Sequence, residues 1–386
     1  MQLPQKHSAT GTTIFTVMSA LAQQHNAINL SQGFPDFAID AKLGQLLEEA
    51  AQGGWNQYSP MPGLPMLRQA IAKDFERRYG VSIDADKEVT ITPGATYAIY
   101  TAFTSILEPG DEVIVLEPAY DSYIPNIETN GARAIIVPLS SPGFSVDWNL
   151  VKDAISDKTK AIIINTPHNP TGAVWAKEDW DQLADLVRGT DIFILSDEVY
   201  EQLIFDGMPH YTVLQHEELR QRSFALYSFG KVFNNTGWKI GYCIAPPAFT
   251  DAFRRIHQFL CFSVNTPAQY AIGTYLSQPV LPDVGALMQQ KRNYFLDLLK
   301  DTAFTIHQPA AGSYFQIAGY EQISDLPDTD FAKWLTQEYG VATIPVSAFY
   351  SNKKDDKLIR FCFAKKEETL KAAVDKLKAL KPATVL

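Results

Sequence analysis

The chain has 386 residues, 46% hydrophobic and 20% charged, an ordinary globular mix long enough for two domains and a large core. Its formal charge of −10 leaves no overall basic footprint, which argues against nucleic-acid binding; an anionic small substrate would need local cations. Three scattered cysteines, Cys243, Cys261 and Cys362, lack CxxC spacing, so no disulfide framework or zinc site is expected and a reduced cytoplasm fits.

The N-terminal stretch MQLPQKHSAT lacks an apolar core, so no secretory signal is expected. No apolar run approaches the length of a membrane span. From Thr12, TTIFTVMSALAQQH puts Ile14, Val17, Met18 and Leu21 at helical spacing, behind threonines able to cap the start. The turn-rich INLSQGFPDF reads as a crossing segment rather than a core element. Helical periodicity resumes in LGQLLEEAAQ and in LPMLRQAIAKDFERRYG, where Gly80 would stop it.

The rhythm then changes to short apolar runs: EVTITPG, EVIVLEP, RAIIVPL, AIIINTP, IFILSDE, FALYSF and IGYCIA. Apolar runs without polar alternation predict strands buried on both faces, as in a mainly parallel α/β sheet. Helix-like segments such as ATYAIYTAFTSIL and EDWDQLADLVRG lie between them. After about residue 280 the mixture of a long helix, AGSYFQI, FAKWLTQEYG, VATIPVSAF and LIRFCFA predicts a smaller α+β domain. The expected division is an N-terminal arm contributing to the small domain (1–45), a large domain (46–285) and a small C-terminal domain (286–386).

Ligands of open α/β sheets gather beyond the carboxyl ends of the strands. Here those ends are polar: TPGAT, NTPHNPTG, SDEVY and SFGK. Asp197 follows the apolar IFIL, so its carboxylate needs a positive partner. It could cap the next turn, or pair with a protonated ring nitrogen of a cofactor. Lys231, between Phe229 and Phe233, is either a solvated surface charge or a desolvated amine of lowered pKa able to attack carbonyls. A phosphate-loop reading fails, because Ala225 and Val232 stand where Gly and Ser/Thr are required. Gly94 before a helical run either makes a turn or frees backbone N–H groups for phosphate. Together these parts suit one ligand with an aldehyde, a ring nitrogen and a phosphate, as in pyridoxal 5'-phosphate.

The set NPTG (169–172), SDEVY (196–200) and SFGK…GWKIGY (228–242) resembles the fold-type-I pyridoxal-phosphate aminotransferases, in the branch of methionine, kynurenine and glutamine transaminases. NLSQGFPDF, NQYSPMPGLPMLR and LIRFCFAKKEETL extend the resemblance over nearly the whole chain. It implies a seven-stranded, mainly parallel sheet flanked by helices. Lys231 would form the Schiff base and move the substrate proton, and Asp197 would pair with the pyridinium nitrogen. Asn169 and Tyr200 would bond the ring oxygen, and Tyr120 would stack on the ring. Ala95, Thr96, Ser228 and Lys239 would hold the phosphate, with Tyr58 arriving from a second subunit of a homodimer. Arg360 would clamp the substrate carboxylate, with Gly33 and Asn169 beside it. Lys239 departs from the arginine common among aminotransferases and marks the branch.

No second cation for a distal carboxylate stands out, and the expected pocket walls, Ile14, Phe15, Tyr58, Tyr123 and Phe349, are apolar or aromatic. A donor such as methionine or an aromatic amino acid, with a 2-oxo acid as acceptor, is therefore expected over aspartate. Two alternatives remain at this point: β-elimination of cysteine conjugates at the same site, and an inactive binding or regulatory domain.

Overall fold

A computed structural model describes residues 11–382. The stretch MQLPQKHSAT, and with it the expectation about a secretory signal, lies outside the described residues. The seven apolar runs form one sheet: β1 (Val89–Thr92), β2 (Glu112–Glu117), β3 (Arg133–Pro138), β4 (Thr159–Asn165), β5 (Phe193–Asp197), β6 (Ser223–Ser228) and β7 (Gly241–Ile244). Their order is β1-β7-β6-β5-β4-β2-β3. Strand β7 runs antiparallel to β1 and β6, and the remaining pairings are parallel.

The missing polar alternation has a direct cause. Ile162, Ile164 and Ile194 face one core with Phe75 and Trp180, while Ile163, Leu195 and Leu226 face another with Phe103 and Phe253. Alternate side chains thus enter two different apolar layers, each buried Ile or Leu contributing about 2 kcal/mol. Local punctuation agrees: Thr13 caps the helix Ile14–Gln24, and Gly80, at φ 65°, ends Pro65–Tyr79.

A second lobe has its own core, with Phe295, Phe304, Phe331 and Phe361 against the antiparallel sheet of Ile344–Pro345, Leu358–Cys362 and Phe315–Gly319. The fold is therefore α/β with a smaller α+β lobe. The segment INLSQGFPDF differs from its expectation. Ile28–Asn29 pairs in parallel with Val341–Ala342, and Leu30 and Ser31 are fully buried. A two-residue strand is too short to carry a periodic signal. Asp36 accepts hydrogen bonds from the Lys366 N–H and the Thr369 hydroxyl, tying this segment to the final helix, Glu367–Leu377. No described helix is long and apolar enough to cross a membrane. Among the described residues no group of His, Cys, Asp or Glu is placed to hold a metal ion.

Candidate active site

Parallel strands point their carboxyl ends the same way, and beyond those ends lies a cavity of about 490 Å³. Asn165 of β4, Asp197 of β5 and Ser228 of β6 reach its wall. It also draws in Gly33, Phe15 and Arg360 from the small lobe and the N-terminal segment. Ala95, Thr96, Tyr120, Asn169, Tyr200, Lys231 and Lys239 complete the part of the lining that the sequence singled out.

Lys231 sits in a single helical turn, Phe229–Val232, directly after β6. Gly230 permits this turn, because a Cβ there would lie 2.9 Å from the Thr236 Cα. The Lys231 Nζ donates to the Gly33 carbonyl at 3.3 Å, a carbonyl that also accepts from the Tyr314 hydroxyl at 2.6 Å. Burial pulls the amine pKa from 10.5 down to about 8, with the Arg360 charge acting in the same direction. Lys231 is thus no solvated surface charge. In the cofactor-free protein, reductive trapping of Lys231 by a small aldehyde is expected to rise about tenfold between pH 7 and pH 9. Site-resolved peptide mass spectrometry checks this, and a rise centred near the ordinary lysine value would contradict it.

Asp197 is buried at the end of β5, and burial pushes its pKa up to about 6. The Tyr123 hydroxyl opposes that rise, donating to Oδ2 at 2.6 Å. Oδ1 receives only a long 3.4 Å contact from the Val199 N–H, so it keeps acceptor capacity. The main-chain carbonyl of Asp197 accepts from Asn165 Nδ2 at 2.8 Å, which fixes the strand end.

An anion cradle faces this pair. The helix Ala95–Ile106 begins after Gly94, which has φ 87° and offers no side-chain cap, leaving the first N–H groups free. A Cβ at Gly94 would lie 3.2 Å from the Lys239 Nζ, so the lysine amine lies over this turn. Lys239 itself adopts the left-handed region, φ 56°, uncommon outside glycine and often found at functional sites. Free N–H groups, an ammonium and the Ser228 hydroxyl suit a phosphate.

Arg360 is only 1% exposed. Its Nη1 donates to Asn169 Oδ1 at 2.7 Å and its Nη2 to the Ser31 carbonyl at 2.9 Å. The guanidinium lies 3.8 Å from the Phe315 ring centroid, and its Nε has no hydrogen-bond partner. Burial lowers its pKa to about 10, so it stays cationic near neutrality. Nη1 and Nη2 each carry a second N–H beyond these bonds, and among the described residues no carboxylate pairs with the guanidinium, so a ligand carboxylate suits it.

Some expected residues lie elsewhere. Tyr123, expected as a substrate-pocket wall, is buried beneath Asp197 with its hydroxyl spent there, because it opens the helix Tyr123–Thr129 facing inward. Ile14 and Phe349 belong to a small apolar cluster with Met18 and do not line the cavity. Tyr58 is 82% exposed, packed edge-on against Phe262 and away from the cavity of its own chain. His168, for which the loop TPHNP offers no catalytic reading, is buried there and bonded to Thr171, its pKa lowered to about 4 by burial. Sequence reasoning missed Asp121, Gln32, Phe34 and Phe315 on the wall. Asn165 was legible in principle, as the polar end of an apolar run.

This fold and the chemistry at its strand ends put the chain among the aminotransferases. The profile of the family described as aminotransferase class I and II matches residues 25–377, and the chain belongs to that family, whose members depend on pyridoxal phosphate. It is 47% identical to the methionine aminotransferase of Escherichia coli (strain K12) over 384 residues, 98% of this chain and 97% of that protein. A crystal structure of a methionine aminotransferase from Escherichia coli superposes with TM-score 0.95 at 46% identity, covering 98% of this chain and 100% of that one. The N-succinyldiaminopimelate aminotransferase structure from Mycobacterium tuberculosis gives TM-score 0.93 at 36% identity, covering 98% and 100%. Kynurenine–oxoglutarate transaminase of Dictyostelium discoideum is 35% identical, covering 98% of this chain and 96% of that protein.

Proposed function

We propose that the protein moves the amino group of methionine, or of another large uncharged amino acid, to a 2-oxo acid at this cavity. The carrying observation is the buried guanidinium of Arg360 lining the same cavity as the low-pKa Lys231 amine. The residues present fit pyridoxal phosphate: the Gly94–Lys239 cradle suits its phosphate and the free Oδ1 of Asp197 suits its ring nitrogen. Bound there, the cofactor supplies an aldehyde that takes up amines and a protonated ring that draws electrons from the substrate Cα.

The chain's residues divide the remaining work. Arg360 and Asn169 hold the substrate α-carboxylate beside Gly33, which orients the Cα hydrogen. Lys231, as a neutral amine, would take the proton from the substrate Cα and hold it as an ammonium. Asp197, steadied by Tyr123, would keep the ring nitrogen protonated. Asn169, Tyr200 and Tyr120 would hold the ring, and Ala95, Thr96, Ser228 and Lys239 would hold the phosphate.

Methionine as donor is supported by the 47% identical relative and by the apolar Phe15 and Phe34 on the wall. Rates for methionine, phenylalanine, kynurenine, glutamine and aspartate with one fixed oxo acid test this. Uncharged donors are expected to lead; aspartate as the best donor would defeat the reading. A homodimer with Tyr58 reaching the neighbouring site is supported by the exposed apolar group of Tyr58, Phe262 and Phe259, the last 85% exposed. A chain that sediments as a monomer at micromolar concentration would remove that contribution. We also divide the chain at 45 and 285 into arm, large domain and small domain, in keeping with its separate cores. A cytoplasmic setting accords with three free cysteines, two of them buried.

A further inference from the structure

The cavity's charges can be followed one by one. Three of its lining side chains are cationic: Lys231, Lys239 and Arg360. Lys231 is the reacting amine, Lys239 lies at the Gly94 anion cradle, and Arg360 faces the α-carboxylate. Among the described residues none is left for a second substrate carboxylate. Two lining side chains are anionic, Asp197 and Asp121. Asp197 is engaged by Tyr123, but Asp121 forms no ion pair and accepts no side-chain hydrogen bond among the described residues.

Asp121 follows Tyr120 in the loop between β2 and the helix that Tyr123 opens, and is only half-buried. Burial raises its pKa, while the Arg360 guanidinium and the exposed Lys353 work against the rise. The interaction with Arg360 is reciprocal, Asp121 favouring the charged guanidinium. The carboxylate therefore projects its field across the space a substrate side chain must occupy once its α-carboxylate is on Arg360.

We propose that Asp121 is a specificity-determining residue that turns dicarboxylic amino acids and 2-oxo acids away from this site. A side chain without charge, such as a thioether, an aromatic ring or an amide, meets no opposing charge there. A distal carboxylate would face Asp121 with no uncommitted cation among the described lining residues to offset it. Discrimination by repulsion needs no additional contact with the favoured substrate. The assignment rests on the transaminase reading above, with Arg360 holding the α-carboxylate.

The test is a ratio. For wild type and Asp121→Asn, kcat/KM is measured at pH 8 with glutamate and with methionine against one monocarboxylic oxo acid. The glutamate-to-methionine ratio is expected to rise by about tenfold or more in the variant. The exposed Asp157→Asn, carrying the same charge change, should leave that ratio where it was. An unchanged ratio in Asp121→Asn with turnover intact overturns the role of Asp121 alone. Absence of amino transfer from every donor in the wild type overturns the transaminase reading and this assignment with it. Should the variant not fold, competitive inhibition of the wild type decides. Succinate is expected to bind about tenfold more weakly than butyrate, and equal inhibition constants would refute the proposal.

Discussion

Replacing Lys231 with alanine slows amino transfer from methionine by about four orders of magnitude or more. The size follows from the two tasks that fall to one amine, cofactor attachment and movement of the Cα proton. Other cavity residues cannot take them over. Lys239 lies over the Gly94 turn, and the Arg360 guanidinium stays protonated, its pKa about 10. The loss is expected in kcat more than in KM, since the substrate carboxylate is proposed to rest on Arg360 and Asn169. Lys231→Arg should lose as much, because a guanidinium is not a neutral amine at any working pH. The fold should survive, as the Gly33 carbonyl keeps the Tyr314 hydroxyl when the lysine is gone. Single-turnover kinetics with a thermal melt as control measures both. A variant within about tenfold of wild type would end the assignment of Lys231.

The second large effect lies at Arg360. Arg360→Lys is expected to raise KM for methionine about a hundredfold, with a smaller change in kcat. The guanidinium here bonds Asn169 and Ser31 while stacking at 3.8 Å on Phe315. An ammonium has no plane to stack and no fork with which to do all three. Arg360→Leu would also leave Asn169 Oδ1 and the Ser31 carbonyl buried without this partner, a loss of about 1–3 kcal/mol of stability. Steady-state kinetics and denaturant melts separate the two effects. An unchanged KM in Arg360→Lys would show that the substrate carboxylate is held elsewhere.

Much of this was legible before any coordinates. Strands such as IIIN and IFILSD announce themselves because both faces are buried, so composition alone carries the signal. Their polar ends, Asn165, Asp197 and Ser228, lead to the cavity because parallel strands share a direction. Side-chain direction at an irregular start was not legible. Tyr120, Asp121 and Tyr123 lie within four residues, yet Tyr120 and Asp121 reach the cavity and Tyr123 turns beneath Asp197. Residue type gave no hint, since an aromatic suits either a wall or a core. Phe349 failed as a wall for the same reason. Strands of two residues, such as Val341–Ala342, are shorter than any period that could reveal them.

The antiparallel placement of β7 also bears on the order in which the molecule can assemble. Among the described residues strand β1 has β7 as its sole neighbour in the sheet, with Val89 opposite Ile244. During synthesis β1 must wait for most of the large lobe to emerge before it has a partner, and that long closure carries an entropic cost. The cradle waits with it. A Cβ on Gly241 of β7 would lie 2.9 Å from the Ala95 nitrogen, so the turn that begins the helix is seated directly against the late strand. The turn at Gly94 therefore gains this support only once β7 has been made. Until then a nascent chain would display Lys231 without the cradle proposed for the cofactor's phosphate.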